Sequence, residues 1–373
     1  MSAPALQAPP PELRFAAELA ALAAADTGRR PPGWALSPAA VVRFICGGPP
    51  VPGPDGRPLP LPARFVGDRA LVERAVVTLA GQRGLLLVGE PGTAKSMLSE
   101  LLAAAICGSS ALVVQGTAGT TEDQLRYGWN YAALLARGPS PDALVPSPVL
   151  QAMRRGAIAR VEEVTRCLPE VQDALVSLLS DRRVAVPELG ESGVVHAVPG
   201  FNLIATANLR DRGVSEMSAA LKRRFNFEVV PPIAELDREV ALVQQQIELS
   251  VERAGEALPV DTALVRALVT AFRDLRQGRT EEGWAVEVPA SVMSTAEAVA
   301  AGTSLVLQAG WFPERGGGAA LMPEHLLGVV LKDEPKDRAR LLAWLEGPAR
   351  RRAERGDPVW AAIFEGRAAV AAR

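Results

Sequence analysis

The sequence predicts an α/β fold: a layered core around a mostly parallel sheet, followed by a region made only of helices. Three observations carry this. Residues 65–231 alternate strand-like and helix-like segments, the pattern of strands joined by helical crossovers. Within them, the apolar run Leu85-Leu86-Leu87-Val88 passes through a glycine-bearing turn straight into an alanine- and leucine-rich helix, Met97 to Ile106. From Ala234 onward no strand pattern emerges. Segments 234–254, 260–276, 289–309 and 333–356 have helical patterning, broken near Pro259, Pro289, Pro313 and Pro323.

The turn after the first strand is the most informative stretch. Gly89, Glu90, Pro91, Gly92, Thr93, Ala94, Lys95, Ser96 and Met97 have the layout of a phosphate-binding loop. Backbone N–H groups of the turn and the helix start point at an anion, and the helix dipole favours its charge. Lys95 would reach the β- and γ-phosphates of ATP, and the Ser96 hydroxyl would hold Mg²⁺. The pattern wants glycine before the lysine. Ala94 stands there instead, and is expected to lie in the first helical turn, where alanine costs little.

Composition bounds the rest. The 373 residues can hold two or three domains, and 48% hydrophobic content supports a sizeable core. A net charge of -2 argues against a broad nucleic-acid footprint. Cys46, Cys107 and Cys167 are far apart and lack metal-binding spacing, which fits free thiols in a reducing, cytoplasmic setting. With only His196 and His325 present, histidine-based catalysis and a His-rich metal site are not expected. Met1 to Pro11 lacks the basic and apolar regions of a signal peptide, and no run reaches membrane-spanning length. No internal repeat is visible.

Residues 12–26 read as a short helix, with Phe15, Leu19 and Leu22 at helical spacing. Seven prolines between Pro49 and Pro62 forbid a helix or a central strand there, leaving a linker or surface strap. The expected division is therefore an N-terminal helix and strap over 1–64, a nucleotide-binding core over 65–231, a helical lid over 232–310 and a helical extension over 311–373.

A phosphate loop needs a partner strand ending in acids that manage the metal and the attacking water. Ala157 to Val164 fits: it lies about 65 residues after Lys95, precedes a helix, and carries Glu162 and Glu163. The first position, expected to orient the hydrated metal, is usually aspartate; Glu162 adds a methylene there. Glu163 would polarise the water. A solvated helix N-terminus is the structural alternative for this acidic pair. Arg160 is an odd residue for a buried strand. A third strand, Phe201 to Ala207, ends in Asn208, an amide placed to position the attacking water. Val214 to Phe225 reads as a short helix ending in Lys222, Arg223 and Arg224, before a strand from Asn226 to Val230. Cations suit a helix C-terminus in any case. The sharper reading is an arginine presented into a neighbouring subunit's site.

Together the loop GEPGTAKS, the strand VEEVTR, the strand tip ATANL and the segment ALKRRF resemble the AAA+ ATPases, most closely the MoxR family, over about residues 65–310. The resemblance implies an αβα P-loop NTPase core with a five-stranded parallel sheet, ATP and Mg²⁺ as ligands, and a nucleotide cleft between core and lid. It assigns Lys95 and Ser96 to the loop, Glu162 to the metal and Glu163 to the water. Asn208 becomes the first sensor and Arg224 the arginine finger, with Arg223 as its alternative. Arg166 matches an arginine that this family often places after the acidic strand. The implied protein is a homo-oligomeric ring, expected to be a hexamer. It would act as a chaperone or remodelling motor on a protein client, often with a von Willebrand factor A domain partner.

Two departures stand out. Glu162 replaces aspartate, and the lid stretch Met293-Ser294-Thr295-Ala296-Glu297 lacks the usual second-sensor arginine. Both favour slow or partner-coupled hydrolysis, and keep open a nucleotide-gated scaffold with little turnover. A nucleic-acid motor is a further alternative, with Arg350-Arg351-Arg352 as a candidate basic patch; a simple P-loop kinase would leave Asn208 and Arg224 without a role. Two insertions are expected, one over 117–147 with the aromatic cluster Tyr127, Trp129 and Tyr131, the other a hairpin over 188–200.

Overall fold

The computed structural model describes residues 6–208, 215–291, 293–332 and 334–372. Two compact units are present, Met1–Glu90 with Ala94–Pro231, and Pro91–Thr93 with Pro232–Arg373.

The first unit is built on five strands: β1 (Gly84–Val88), β2 (Val113–Gln115), β3 (Ile158–Glu162), β4 (Asn202–Ala207) and β5 (Phe225–Val229). Their spatial order is β5-β1-β4-β3-β2, and every neighbouring pair is parallel. This is the five-stranded parallel sheet that the family resemblance implied; β2 is the strand that the residue pattern did not show. Every residue of β1, β3 and β4 is buried; β1 is accordingly apolar throughout, while β3 buries Arg160 and Glu162 and β4 buries Asn202 and Thr206.

Alternation along the strands divides the core in two. Leu85, Leu87, Ile158 and Ile204 face the helices Arg69–Ala80 and Lys95–Cys107. Leu86, Val88, Ala159, Val161, Leu203 and Ala205 face the helices Pro148–Arg155 and Pro169–Ser180. Arg160 and Glu162 share the parity of Ile158, so both are directed at the helix Lys95–Cys107.

The N-terminal region contributes more than a strap. The expected helix is two short ones, Pro11–Arg14 and Ala16–Ala25, separated at Phe15. An unforeseen helix, Pro38–Cys46, starts at a Ser37 cap and buries Val41, Val42, Phe44 and Ile45 in the first core cluster. Arg64 lies between the rings of Phe15 and Phe44, 4.4 and 4.3 Å from their centroids. The proline-rich stretch forms an isolated two-stranded hairpin, Gly48–Pro52 with Pro58–Leu61. Outside the main sheet, prolines remove no ladder bond that the core needs.

Both insertions are hairpins. Tyr127–Trp129 pairs with Leu144–Pro146 around the helix Tyr131–Arg137, and the Tyr127 and Trp129 rings meet edge to face. The second hairpin lies earlier than expected. Arg183–Ala185 pairs with Val194–His196, and 188–193 forms part of the helical turn Pro187–Gly193 at its tip.

Among the described residues the second unit contains no strand, only a bridge between Arg279 and Ala285. Its main helices are Leu236–Arg253, Thr262–Gln277, Thr295–Trp311, Gly318–Val330, Lys336–Trp344 and Pro358–Glu365. The third starts later than the expected 289, at a Ser294/Glu297 capping box. The expected break at Pro323 is absent. An internal proline costs about 3 kcal/mol, but Leu321, Met322, Leu326, Leu327 and Val330 bury their side chains along the same helix, each worth roughly 1.5–3 kcal/mol. The expected helix over 333–356 is instead interrupted by a π-helical turn, Leu345–Ala349, that contains Pro348.

One ion-pair group, with Arg352 and Asp274 buried and Glu282 at the surface, holds this unit's end to its middle. Arg352 donates to Asp274 at 2.7 Å and to Glu282 at 2.9 and 2.7 Å, while Trp344 Nε1 donates to Asp274 at 3.0 Å. Hydrogen bonding from Arg352 holds the Glu282 carboxyl down at about 2, from an ordinary 4.5. A depressed carboxylate contributes stability that is present above the unfolded value and lost as pH falls towards the folded one. Thermal melts should therefore show Glu282→Gln less stable than the parent at pH 7, with a shallower loss of stability between pH 4.5 and about 2. Parallel acid limbs for the two proteins would remove Glu282 from this account.

Candidate nucleotide site

Parallel pairing sends the C-terminal ends of β1, β4 and β3 to one edge of the sheet. Ala207 is paired with Val88, and Ala205 with Val161. The loop after β1, Asn208 after β4 and the acidic pair at the end of β3 therefore emerge side by side. This is the edge at which open α/β sheets bind ligands.

The loop turns through Gly92 at φ +76° and enters the helix at Lys95. Ala94 does not lie in a helical turn, contrary to the sequence expectation. It is left-handed, at φ 63° and ψ 24°. That conformation explains why the pattern wants glycine: a Cβ there costs about 1–2 kcal/mol. The Lys95 ammonium is buried and donates to the carbonyls of Gly89 (3.1 Å) and Glu90 (2.7 Å), which keeps its charge inside the curl of the loop. A buried cation held in a glycine-bearing turn at the start of a helix suits phosphate.

Glu162 is the most heavily bonded side chain of the site. Oε2 accepts from the hydroxyls of Ser96 and Thr206, both at 2.7 Å. Oε1 accepts from Ser99 at 2.6 Å and from Arg160 Nη2 at 2.8 Å. Burial alone would raise its pKa. Hydrogen bonds from Ser99 and Ser96, the charge of Arg160 and the Thr206 hydroxyl outweigh that and hold it below the ordinary value. Sequence reading anticipated Ser96 and Glu162 together; Ser99 and Thr206 were missed. One helical turn between Ser96 and Ser99 and the adjacency of β4 to β3 are the signals that would have found them.

Glu163 is the next residue, but its backbone is left-handed at φ 53°, which turns its side chain away from the core. Its N–H donates to Thr206 Oγ1 at 2.9 Å, so one hydroxyl fixes both glutamates. The half-buried Glu163 carboxylate pairs with Arg166 Nε at 2.6 Å. Gly116 permits the close approach of the segment after β2. Its N–H donates to the Glu162 carbonyl at 2.7 Å, and a Cβ would lie 2.5 Å from the Glu163 carbonyl oxygen.

Asn208 is buried at the tip of β4. Leu209 and Val214, also part of the sequence reading, lie outside the described residues. The helix expected from Val214 to Phe225 is described as a single turn, Ala219–Lys222. Arg224 follows it at the opposite edge of the sheet, where its neighbour Phe225 pairs with Gly84 at the start of β1. The five residues of β1 separate it from the loop by about 16 Å. There its Nε donates to Ser180 Oγ at 2.6 Å, and Arg223 is exposed.

In the second unit, Arg276 of another helix packs against the stretch Met293–Glu297, which itself contains no arginine. Arg276 Nη1 donates to the Met293 carbonyl at 3.0 Å, and Arg276 and Arg273 both pair with the fully buried Glu239. Thr295 Oγ1 also donates to Glu239, at 2.7 Å.

The donor set suits Mg²⁺ delivered with a nucleotide. Among the described residues no group of three or more His, Cys, Asp or Glu could hold a metal ion. Mg²⁺ commonly takes one or two protein ligands beside substrate phosphates and water. The Ser96 hydroxyl is the one direct protein ligand this site would offer, with Glu162 behind it.

Sequence comparison identifies the family. The chain is 46% identical over 363 residues to YehL of Escherichia coli (strain K12), covering 97% of each protein. The chain belongs to the YehL-like AAA+ ATPase family. Residues 84–225 match the AAA domain of the dynein-related subfamily, and residues 237–371 match the YehL-like AAA+ ATPase C-terminal domain. The protein SH1500 of Staphylococcus haemolyticus is 28% identical over 228 residues, covering 60% of this chain and 80% of that protein. Among solved structures, NtrX from Brucella abortus in complex with ATP superposes with a TM-score of 0.47 at 15% identity, covering 82% of this chain. This YehL-like chain spans 64% of that NtrX chain. No described helix of this family member is long and apolar enough to cross a membrane.

Replacing Ala94 with glycine tests the loop's strain. Relief of about 1–2 kcal/mol, less about 0.4–1 kcal/mol of added unfolded-state entropy, leaves a net gain of roughly 0.5–1 kcal/mol for Ala94→Gly. Denaturant unfolding reads this directly, and a lower midpoint in the variant would contradict the left-handed assignment.

Proposed function

We propose that this chain is a Mg²⁺-dependent ATPase of MoxR type that works as a ring and remodels a protein client. The observation that carries the proposal is the meeting of Lys95, Ser96, Glu162, Glu163 and Asn208 at one edge of the sheet. Mg²⁺ would neutralise phosphate charge and align the γ-phosphoryl group for in-line attack. Lys95 supplies a second positive charge at the phosphates. Glu163 accepts the proton of the attacking water once its carboxylate leaves Arg166, and Asn208 orients that water. Arg224 lies too far from its own loop to complete this set, which supports an action on a neighbouring copy.

The partner and assembly are proposals on the same footing. The resemblance to MoxR proteins supports a hexameric ring, a cytoplasmic setting and a partner with a von Willebrand factor A domain. A second reading, a nucleotide-gated scaffold with little hydrolysis, is favoured by the Glu163–Arg166 pair, which holds the proposed base in an ion pair.

Lys95→Ala should abolish nucleotide binding in a fluorescent-ATP titration, and unchanged affinity would sink the loop assignment. Glu163→Gln should bind ATP and lose turnover, whereas the scaffold reading expects negligible turnover from the parent as well. For Arg224→Ala, turnover should fall on the order of 10³-fold with binding intact. Mixing Arg224→Ala with Glu163→Gln chains should restore part of the activity. No recovery in mixtures of confirmed mixed oligomers would place Arg224 outside a neighbour's site.

A further inference from the structure

Arg160 has no part in the reaction as described above, yet it is the most unusual residue near the site. It is 3% exposed in the middle of a central parallel strand. A buried guanidinium is tolerated only when its charge is paired and its donors are used. Here Nε donates to Ser99 Oγ at 2.9 Å, Nη1 to the Ser110 carbonyl at 3.0 Å, and Nη2 to Glu162 Oε1 at 2.8 Å. Nη2 also reaches Glu100 Oε1 at 3.3 Å. Ser110 is itself fixed from the N-terminal region: the Glu12 carboxylate accepts from its N–H (3.0 Å) and its hydroxyl (2.9 Å). The guanidinium is therefore held from several sides.

The consequence falls on Glu162. Each of its oxygens accepts two hydrogen bonds from protein donors, which fills the roughly four acceptor positions of a carboxylate. Its charge is countered inside the protein by Arg160, whose longer contact with the half-exposed Glu100 is the weaker of its two ion pairs. A divalent cation near Ser96 thus meets a carboxylate that is already paired, where an unpaired one would present its full negative charge.

We propose that Arg160 is a positioning residue that serves as the resident counter-cation of Glu162, so that nucleotide binding depends only weakly on the divalent metal. The metal is then recruited by the nucleotide's phosphates and the Ser96 hydroxyl. The glutamate's carboxylate reaches Ser96 and Ser99 on the helix and Thr206 on β4 together with Arg160. This inference rests on the nucleotide-binding reading of the site.

The test is Mn²⁺ binding, followed by electron paramagnetic resonance, to the full-length chain with a non-hydrolysable ATP analogue. The parent is compared with Arg160→Gln and Arg160→Lys. The neutral variant should bind Mn²⁺ about tenfold more tightly or better, because an uncompensated carboxylate faces the cation. The lysine variant, which keeps the charge, should stay within about threefold of the parent. A merely structural arginine would lower the stability of both variants without this ordering. Mn²⁺ affinity in Arg160→Gln equal to or weaker than that of the parent overturns the proposal.

Should the neutral variant not fold, the parent alone decides. Its affinity for the analogue should weaken by less than about tenfold when Mg²⁺ is replaced by EDTA, and a larger loss overturns the proposal. A chain that binds no analogue in either condition overturns the nucleotide reading itself, and the EDTA titration separates the two failures.

Discussion

The site depends on one constraint, the register of three adjacent parallel strands. With Val88 beside Ala207 and Val161 beside Ala205, the loop, the sensor amide and the acidic pair reach the same edge of the sheet. The two-residue period of β3 then decides which side chains face the helix Lys95–Cys107. Ile158, Arg160 and Glu162 do; Ala159 and Val161 face the other core cluster. A slip of one residue would turn Glu162 away from Ser96 and place two charges among apolar side chains. The burial of β1, β3 and β4 on both faces makes such a slip costly, so the apolar core specifies the polar geometry.

That core also supports strain. Ala94 and Glu163 both occupy left-handed backbone, on the two sides of the proposed phosphate position. Such residues persist only where their surroundings over-determine them, and they gather at functional sites. For Ala94 the surroundings are the fully buried β1 before it and the buried Lys95 after it. For Glu163 they are the Thr206 hydroxyl that holds its N–H and the Gly116 carbon that leaves room for its carbonyl. The Arg160–Glu162 pair belongs to the same pattern. A buried ion pair is weak support for stability, since apolar residues of similar volume often do as well. Its presence beneath the loop is better explained by what it does to the charge at the site than by what it adds to the fold.

Much of this was legible in the sequence because it follows from short-range patterns. The loop, the acidic pair, Asn208 and four of the five strands are read from apolar runs and the residues that end them; the three-residue strand Val113–Gln115 is too short to stand out, and the count of five came from the family resemblance. What was not legible depends on contacts between distant segments. Ser99 and Thr206 carry no motif of their own and matter only because Glu162 lies between them. Arg276 supports Met293 from another helix. The helix Pro38–Cys46 was passed over because prolines surround it, although its run of Val41, Val42, Phe44 and Ile45 is apolar enough to fill a core. The displaced hairpin at 183–196 shows a different limit. Glu188 to Gly200 contains the residues typical of a turn, but the pairing strands were set by which residues could lie opposite one another, and the turn-like residues formed its tip.

On the proposed ring reading, the position of Arg224 would leave a single chain's site incomplete. A parallel sheet has two edges, and Arg224 is at the one where strands begin, while Lys95, Glu163 and Asn208 are at the one where they end. The separation, about 16 Å along β1, is more than one side chain spans. Its bond to Ser180 fixes the guanidinium's direction without burying it, since that side chain is only half-buried. A purely structural cation at this helix end would be served equally well by the adjacent Arg223 or Lys222, both exposed and unconstrained in register. The one cation of the three that is aimed is the one next to β5. A second copy that brings its own loop to this edge would give that aim a target, and the two opposite edges of each sheet would then be the two halves of one shared site.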